Sequence, residues 1–582
     1  RRVSGVRPAP GASSADRPHP GLVEQTPSAQ SRNPEPGGQD GPDPPGALGP
    51  RTGADPAGDP DAPDIRSTAP VWAAVGVGSA VFGLGTAQVV AAFVGEWAAP
   101  VVAVGEAVID RVPPWLKDAA IEVFGFQDKL ALVVGTVAVL LVLSAVIGLV
   151  ARRRPVVARR AVYALGAVAA LAAITRPEAT LGAPLPSLLG AAAGALALSG
   201  LGTLAGVPQE PSRGSPALPP EEPVLTGPDR RAILVAAAGV AGVGLLGTGF
   251  GRWLNGYLRR VDEWRAGVRL PVPDEAQRPI PPTVEVGVPG VERFRTPNAD
   301  FFRIDASIAL PRIDPEDWSL RVHGLVRREV RLDFADLLGR GLVERDVTLA
   351  CVSNEVGGHL IGNATWLGAR IAPLLAEASP LPEADMVLST GADGWTCSTP
   401  LPVLTDSRDA LLAVGMNGEP LPLVHGFPVR MVVPGLYGYV SATKWVVELE
   451  VTRFDRATAY WSSRGWSERA PVKTSARIDV PKLDARVRPG RVPVAGIAWA
   501  QHRGIRGVQV RVDDGPWRPA TLAAEASVDT WRQWIYFWDA TPGTHVLRVR
   551  AVDGTGAVQQ GERSDPEPDG ATGWHALEVV VE

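Results

Sequence analysis

"LALVVGTVAVLLVLSAVIGLV", residues 130–150, is a run of apolar and small residues without one charge. In hydrocarbon every backbone N–H and C=O must be bonded within the segment, so a stretch of this length is expected to cross a bilayer as a helix. "VWAAVGVGSAVFGLGTAQVVAAFV" (71–94) has the same character, and Ala/Gly-rich runs follow at 161–175, 187–207 and 232–251. The expectation is therefore five spans within residues 69–251, packed closely through small residues. No span contains a histidine, so bis-histidine haem within the membrane is excluded, and the loosely spaced glycines are packing glycines rather than a dinucleotide fingerprint.

The basic stretch "ARRRPVVARR" (151–160), between the second and third spans, is expected to stay cytoplasmic. That places the N-terminal tail and 208–231 inside. Residues 96–129 and everything after about 251 then lie on the outer side of the cytoplasmic membrane. Arg230 and Arg231 precede the fifth span. They resemble a twin-arginine export signal and equally serve as ordinary positive-inside residues; both readings stay open.

Around this helical region the composition shifts. Residues 1–68 are rich in Pro, Gly, Asp and Ser and are expected to be disordered, having too little apolar surface to offset the entropy of ordering. Residues 252–290 read as a Pro-rich linker, and 291–465 as an α+β domain. Residues 466–582 read as a β-sandwich, strand after strand with turns at Asp514-Gly515 and Asp553-Gly554. A net charge of −5 without a basic face excludes a nucleic-acid partner. Two cysteines exclude a four-cysteine zinc site or a thiolate-held iron–sulfur cluster, and none of the seven histidines forms a HExxH pair.

One cysteine sits in "TLACVSNEVGG" (348–358), at the end of a strand-like run and just before paired glycines. Three readings of Cys351 are open on these residues: a small buried hydrophobe, a disulfide with Cys397, or a metal ligand on a functional loop.

Two longer stretches bear on that choice. "TLACVSNEVGGHLIGNATWLGARIAPLLAEA" (348–378) and "MNGEPLPLVHGFPVRMVVPGLYGYVSATKW" (416–445) resemble, in order, the molybdopterin-dependent oxidoreductases of the sulfite oxidase family. The resemblance extends over about residues 291–582. It implies a sulfite-oxidase-like α+β molybdopterin domain and an immunoglobulin-like C-terminal domain through which a homodimer forms. It also implies a molybdenum cofactor held by one protein thiolate, Cys351, as soft sulfur donors suit such a centre. Phe302, Arg303, Asn354, His425, Arg430, Ala442, Thr443 and Lys444 match cofactor-contacting positions. Arg303, Trp366, Arg464 and Trp466 are expected beside Cys351 in the substrate pocket. Cys397 then becomes a bystander.

The implied chemistry is two-electron oxygen-atom transfer on a small oxo-anion or sulfur compound, with electrons passing to a separate partner. The pattern departs from the family where Asn354-Glu355-Val356 follow the cysteine, since animal sulfite oxidases carry arginines there, and where Trp466 stands in place of a tyrosine. Two alternatives are a reductase of sulfoxides in envelope proteins and a non-catalytic surface protein that keeps the fold.

Overall fold

A computed structural model describes residues 69–112, 128–177, 179–205 and 230–582. The tail expected to be disordered lies outside the described residues, as do 113–127, 178 and 206–229. Among the described residues five helices are long and apolar enough to cross a membrane. They are α1 (Ala69–Val94), α3 (Asp128–Ala151), α4 (Pro155–Ile174), α5 (Leu185–Leu204) and α6 (Arg230–Leu258), with the shorter α2 (Pro100–Arg111) between the first two. Small residues set the spacing of these helices. A Cβ on Gly85 of α1 would overlap the backbone of Gly244 of α6, so the two backbones meet without side chains between them.

The stretch read as linker begins as helix. α6 runs on to Leu258, and α7 (Val261–Gly267) follows. Arg265 of α7 donates from Nε to the carbonyl of Pro420, and its guanidinium pairs with Glu419 at 2.7 Å. The last span is thereby pinned to the domain that follows.

That domain is α+β. One sheet has the order β3 (Val343–Ala350), β4 (Ile361–Arg370), β7 (Leu411–Met416), β8 (Glu419–Pro420), with β9 (Arg430–Val432) paired to β7. The second has the order β2 (Val330–Asp333), β1 (Ser319–Gly324), β10 (Val446–Thr452), β5 (Met386–Gly391), β6 (Thr396–Pro400). The central strands are buried on both faces; every residue of β7 is buried, which accounts for its continuous apolar sequence. The short helices Phe334–Leu338 and Ile371–Ala378 add Leu337, Ile371 and Leu375 to the core between the sheets.

The C-terminal region is a two-layer β-sandwich. A four-stranded sheet contains Ser475–Val480, Gly490–Trp499 and Arg532–Ala540; a five-stranded sheet contains Ile505–Val512, Gly543–Asp553 and His575–Val581. Val494, Trp534, Val549 and Val579 fill the space between the layers. This sandwich grips β3 directly. Gln501 donates to the carbonyl of Thr348 at 3.1 Å, and the Trp531 N–H donates to the Thr348 hydroxyl at 2.8 Å, three residues before Cys351.

Candidate functional site

Where β3 ends, Cys351 opens the loop that returns as β4. Its N–H bonds the carbonyl of Leu360 at 2.9 Å, and the Asn354 side chain accepts the Leu360 N–H at 2.8 Å, so the loop is closed at its base. Asn354 is buried in that structural role and does not line the cavity beside Cys351.

The cavity measures about 120 Å³. Four chain segments meet around it: Phe301–Ala306, the turn Asp393–Trp395, the β9 region with His425 and Arg430, and Gly438–Trp445. Trp461 and Trp466 complete the rim. Burial pushes the Cys351 thiol up, while hydrogen bonds from Ser353 and the Val352 backbone favour its thiolate. Cys397 sits fully buried on β6 near the Thr399 hydroxyl, and both cysteines are free, so the disulfide reading is overturned.

Three basic groups face this space. His425 is buried, and its Nε2 lies 2.8 Å from the carbonyl of Asn298, which makes that nitrogen the donor. Burial lowers its pKa to about 4, so the ring is neutral. Arg430, on β9, stands opposite Lys444 through a backbone bridge. Its guanidinium lies over the Trp366 ring, bonds only to carbonyl oxygens among the described residues, and is pushed down to about 10 by burial. The Lys444 ammonium is bonded to Asp305 and is lowered to about 8 by burial. Against the desolvation that burial imposes, Lys444 and Arg303 hold the Asp305 carboxyl below the ordinary range.

The other sequence-derived residues separate into two groups. Phe302, Ala442 and Trp466 line the cavity. Trp366 is wholly buried in the core, donating to the carbonyl of Val347 and meeting Phe301 edge-on. It supports Arg430 from behind rather than facing the cavity. Thr443 is buried one layer out, 2.6 Å from the Ser389 hydroxyl. Arg303 is exposed and tied to Asp305 at 2.6 Å, while Arg464 stacks over Tyr460 and bonds its carbonyl; neither lines the cavity.

Sequence reasoning missed Phe301, Asp305, Asp393, Trp395, Tyr439, Trp445 and Trp461, all of which line it. Asp393 is the least legible of these. "GADGW" reads as ordinary turn chemistry between β5 and β6, and only the fold aims the carboxyl inward.

The arrangement has the chemistry of a cofactor site: a soft thiol, a neutral imidazole, and a buried guanidinium with five donors and no carboxylate partner among the described residues. A buried unpaired cation is costly, so Arg430 calls for an anion. A phosphate-bearing pterin carrying a thiolate-ligated metal satisfies both ends of the site.

The family model and the curated relatives agree on the class. The family model for the oxidoreductase molybdopterin binding domain matches residues 307–461. The uncharacterized oxidoreductase YuiH of Bacillus subtilis (strain 168) is 33% identical over 156 residues, 27% of this chain and 75% of that protein. Mitochondrial sulfite oxidase of Homo sapiens is 30% identical over 346 residues, half of this chain and 62% of the human enzyme's length. Among solved structures, the sulfane dehydrogenase SoxCD from Paracoccus pantotrophus matches with 24% identity and a TM-score of 0.44, over 50% of this chain and 84% of that one. The chain belongs to the sulfite oxidase family of molybdopterin-dependent oxidoreductases, and its cofactor is the molybdenum cofactor.

Proposed function

We propose that this chain is a membrane-anchored oxidoreductase that carries out two-electron oxygen-atom transfer on a small oxo-anion or sulfur compound at the outer face of the cytoplasmic membrane. The carrying observation is the Cys351 thiol opening on the same cavity as the buried, carboxylate-free Arg430. When bound, the molybdenum cofactor supplies the two-electron chemistry, cycling between Mo(VI) and Mo(IV), and the protein supplies placement and electrostatics. Cys351 would ligate the metal. Arg430, His425 and Lys444, with Phe302 and the Ala442–Thr443 backbone, would hold the pterin. Trp466 would bound the substrate space, with Arg303 and Arg464 as cations at its margin.

A second reading, reduction of sulfoxides in envelope proteins, is favoured by the walls of the cavity. Two carboxylates, Asp305 and Asp393, and four tryptophans line it, and the arginines at 303 and 464 do not. Carboxylates repel an anion, whereas aromatic walls suit a neutral sulfoxide.

Anchoring and orientation rest on the five apolar helices and on which connections meet the oxidoreductase domain. Glu106 of α2 and Pro177 of the α4–α5 connection touch it, and both belong to the side opposite the basic 151–160 stretch. Electrons would pass to a separate partner. The sandwich is read as immunoglobulin-like, and a homodimer would form through it.

Molybdenum and pterin analysis of the purified full chain tests the function, together with a screen of substrates and electron acceptors. Bound cofactor and turnover with one oxygen-atom donor or acceptor are expected. Correctly exported protein without molybdenum and pterin would support the non-catalytic alternative instead.

A further inference from the structure

Asp393 borders two cavities at once. One is the cofactor cavity; the other, of about 140 Å³, shares Ala306, Asp393 and Trp395 with it and is lined on its far side by Glu106, Asp110 and Arg176. The helical region thus completes a compartment directly behind the site. Glu106 Oε1 accepts the Ile308 and Ala309 N–H groups at 3.2 and 3.4 Å, holding the chain just after the Phe301–Ala306 wall. Arg176 pairs with Asp110 at 2.7 Å and lies 3.7 Å from Glu106, and its buried Nε has no hydrogen-bond partner among the described residues. Pro177 packs against Gly394 so closely that a Cβ there would overlap it, which presses the Asp393 turn from the same side.

Oxygen-atom transfer moves protons as well as electrons. In one direction, substrate plus water gives oxygenated substrate, two protons and two electrons, the electrons leaving to the separate partner; the reverse consumes both. An enclosed site therefore needs a group that takes up and releases protons. His425 is committed to the Asn298 carbonyl, and Asp305 to Lys444 and Arg303. Asp393 accepts backbone N–H groups, that of Trp395 at 3.2 Å and its own, and forms no ion pair among the described residues.

We propose that Asp393 is the proton-transfer group of this site, passing protons between the cofactor cavity and the second cavity, where Glu106 is the next carboxyl. This rests on the oxygen-atom-transfer reading above. The charged and titratable groups around Asp393 are Asp305 and Lys444 on the cofactor side, and Glu106, Asp110, Arg176 and Tyr460 on the other. Burial, reinforced by Asp305 and opposed by Lys444, pushes the Asp393 carboxyl up to about 6, and burial raises Glu106 as well. Both carboxyls therefore exchange protons nearer neutrality than a solvated carboxyl does, as proton transfer requires.

The test uses the full chain in detergent. Infrared titration, which needs no cofactor, should show a protonated carboxyl band at pH 5 that Asp393→Asn removes; a wild-type chain lacking that band overturns the proposal. In the molybdenum-loaded enzyme, Asp393→Asn should lower turnover on the order of 100-fold and abolish the pH dependence centred near 6, with cofactor content unchanged. Retained wild-type turnover and profile would overturn it. Glu106→Gln keeps the acceptor oxygen for Ile308 and Ala309 and should lower kcat without raising KM; unchanged kcat removes Glu106 from the route. A wild-type chain that binds no molybdenum fails the functional reading, and the infrared result separates that failure from this one.

Discussion

Arg430 holds its guanidinium carbon 4.9 Å from the centre of the Trp366 ring, and no carboxylate pairs with it among the described residues. Stacking on an indole offsets part of the desolvation of a cation, and a bound phosphate would offset the rest. Arg430→Met should therefore act with opposite signs on two forms of the protein. It should lower molybdenum and pterin content at least about tenfold, as loss of one bidentate anion contact allows. It should leave the melting temperature of cofactor-free protein equal or higher. Metal analysis and thermal melts read the two effects, and unchanged cofactor content would remove Arg430 from the cofactor site.

Cys351→Ser replaces the sulfur by a smaller, harder donor at a position with ordinary hydrogen-bonded loop geometry. Activity should be abolished, while the cofactor-free protein should melt within a few degrees of wild type, because the Leu360 and Asn354 bonds that close the loop are untouched. Unchanged turnover would refute Cys351 as the ligand.

Arg477 and Asp479 form an ion pair at 2.6 Å with both side chains 2% exposed, and Arg477 also donates to the carbonyl of Gly358 in the Cys351 loop. Removing one partner strands a buried charge, so Arg477→Leu should cost about 3–5 kcal/mol of stability. Chemical denaturation checks this, and a loss below about 1 kcal/mol would mean that the pair is solvated.

His575 accepts the Ile478 N–H on Nδ1, and burial lowers its pKa from 6.5 to about 4. Between these values the unfolded chain binds a proton that the folded chain does not, so stability falls as pH falls from about 6.5 to 4. The loss attributable to His575 is of order 3 kcal/mol at pH 4. His575→Asn keeps an acceptor for Ile478 without a titrating ring, so its stability–pH curve should be flatter over that window. An identical curve would assign the acid sensitivity to other groups.

Arg230 and Arg231 open α6. If they form an export signal, Arg230→Lys with Arg231→Lys should block appearance of the oxidoreductase domain on the outer face, as measured by protease accessibility in intact cells. Export unchanged by the double substitution would leave them as positive-inside residues only.

The sequence by itself determined the features that local chemistry enforces. The five apolar runs became the five long helices, whose backbone is bonded within each segment as lipid requires. Alternating apolar runs after residue 466 became the two-layer sandwich. Within the site, the motif stretches brought Cys351, His425, Arg430 and Lys444 to one cavity. Tertiary structure decided which motif residues face that cavity. Trp366 turns into the core because β4 is buried on both faces, and Arg303 turns out to Asp305. It also decided that Asp393, on the turn between β5 and β6, reaches inward at all: β5 pairs with β10, and Pro177 of the α4–α5 connection presses the turn from the other side. Periodicity and motif spacing report what a residue's own strand or helix requires. They carry no information about the side chains that a distant segment brings alongside.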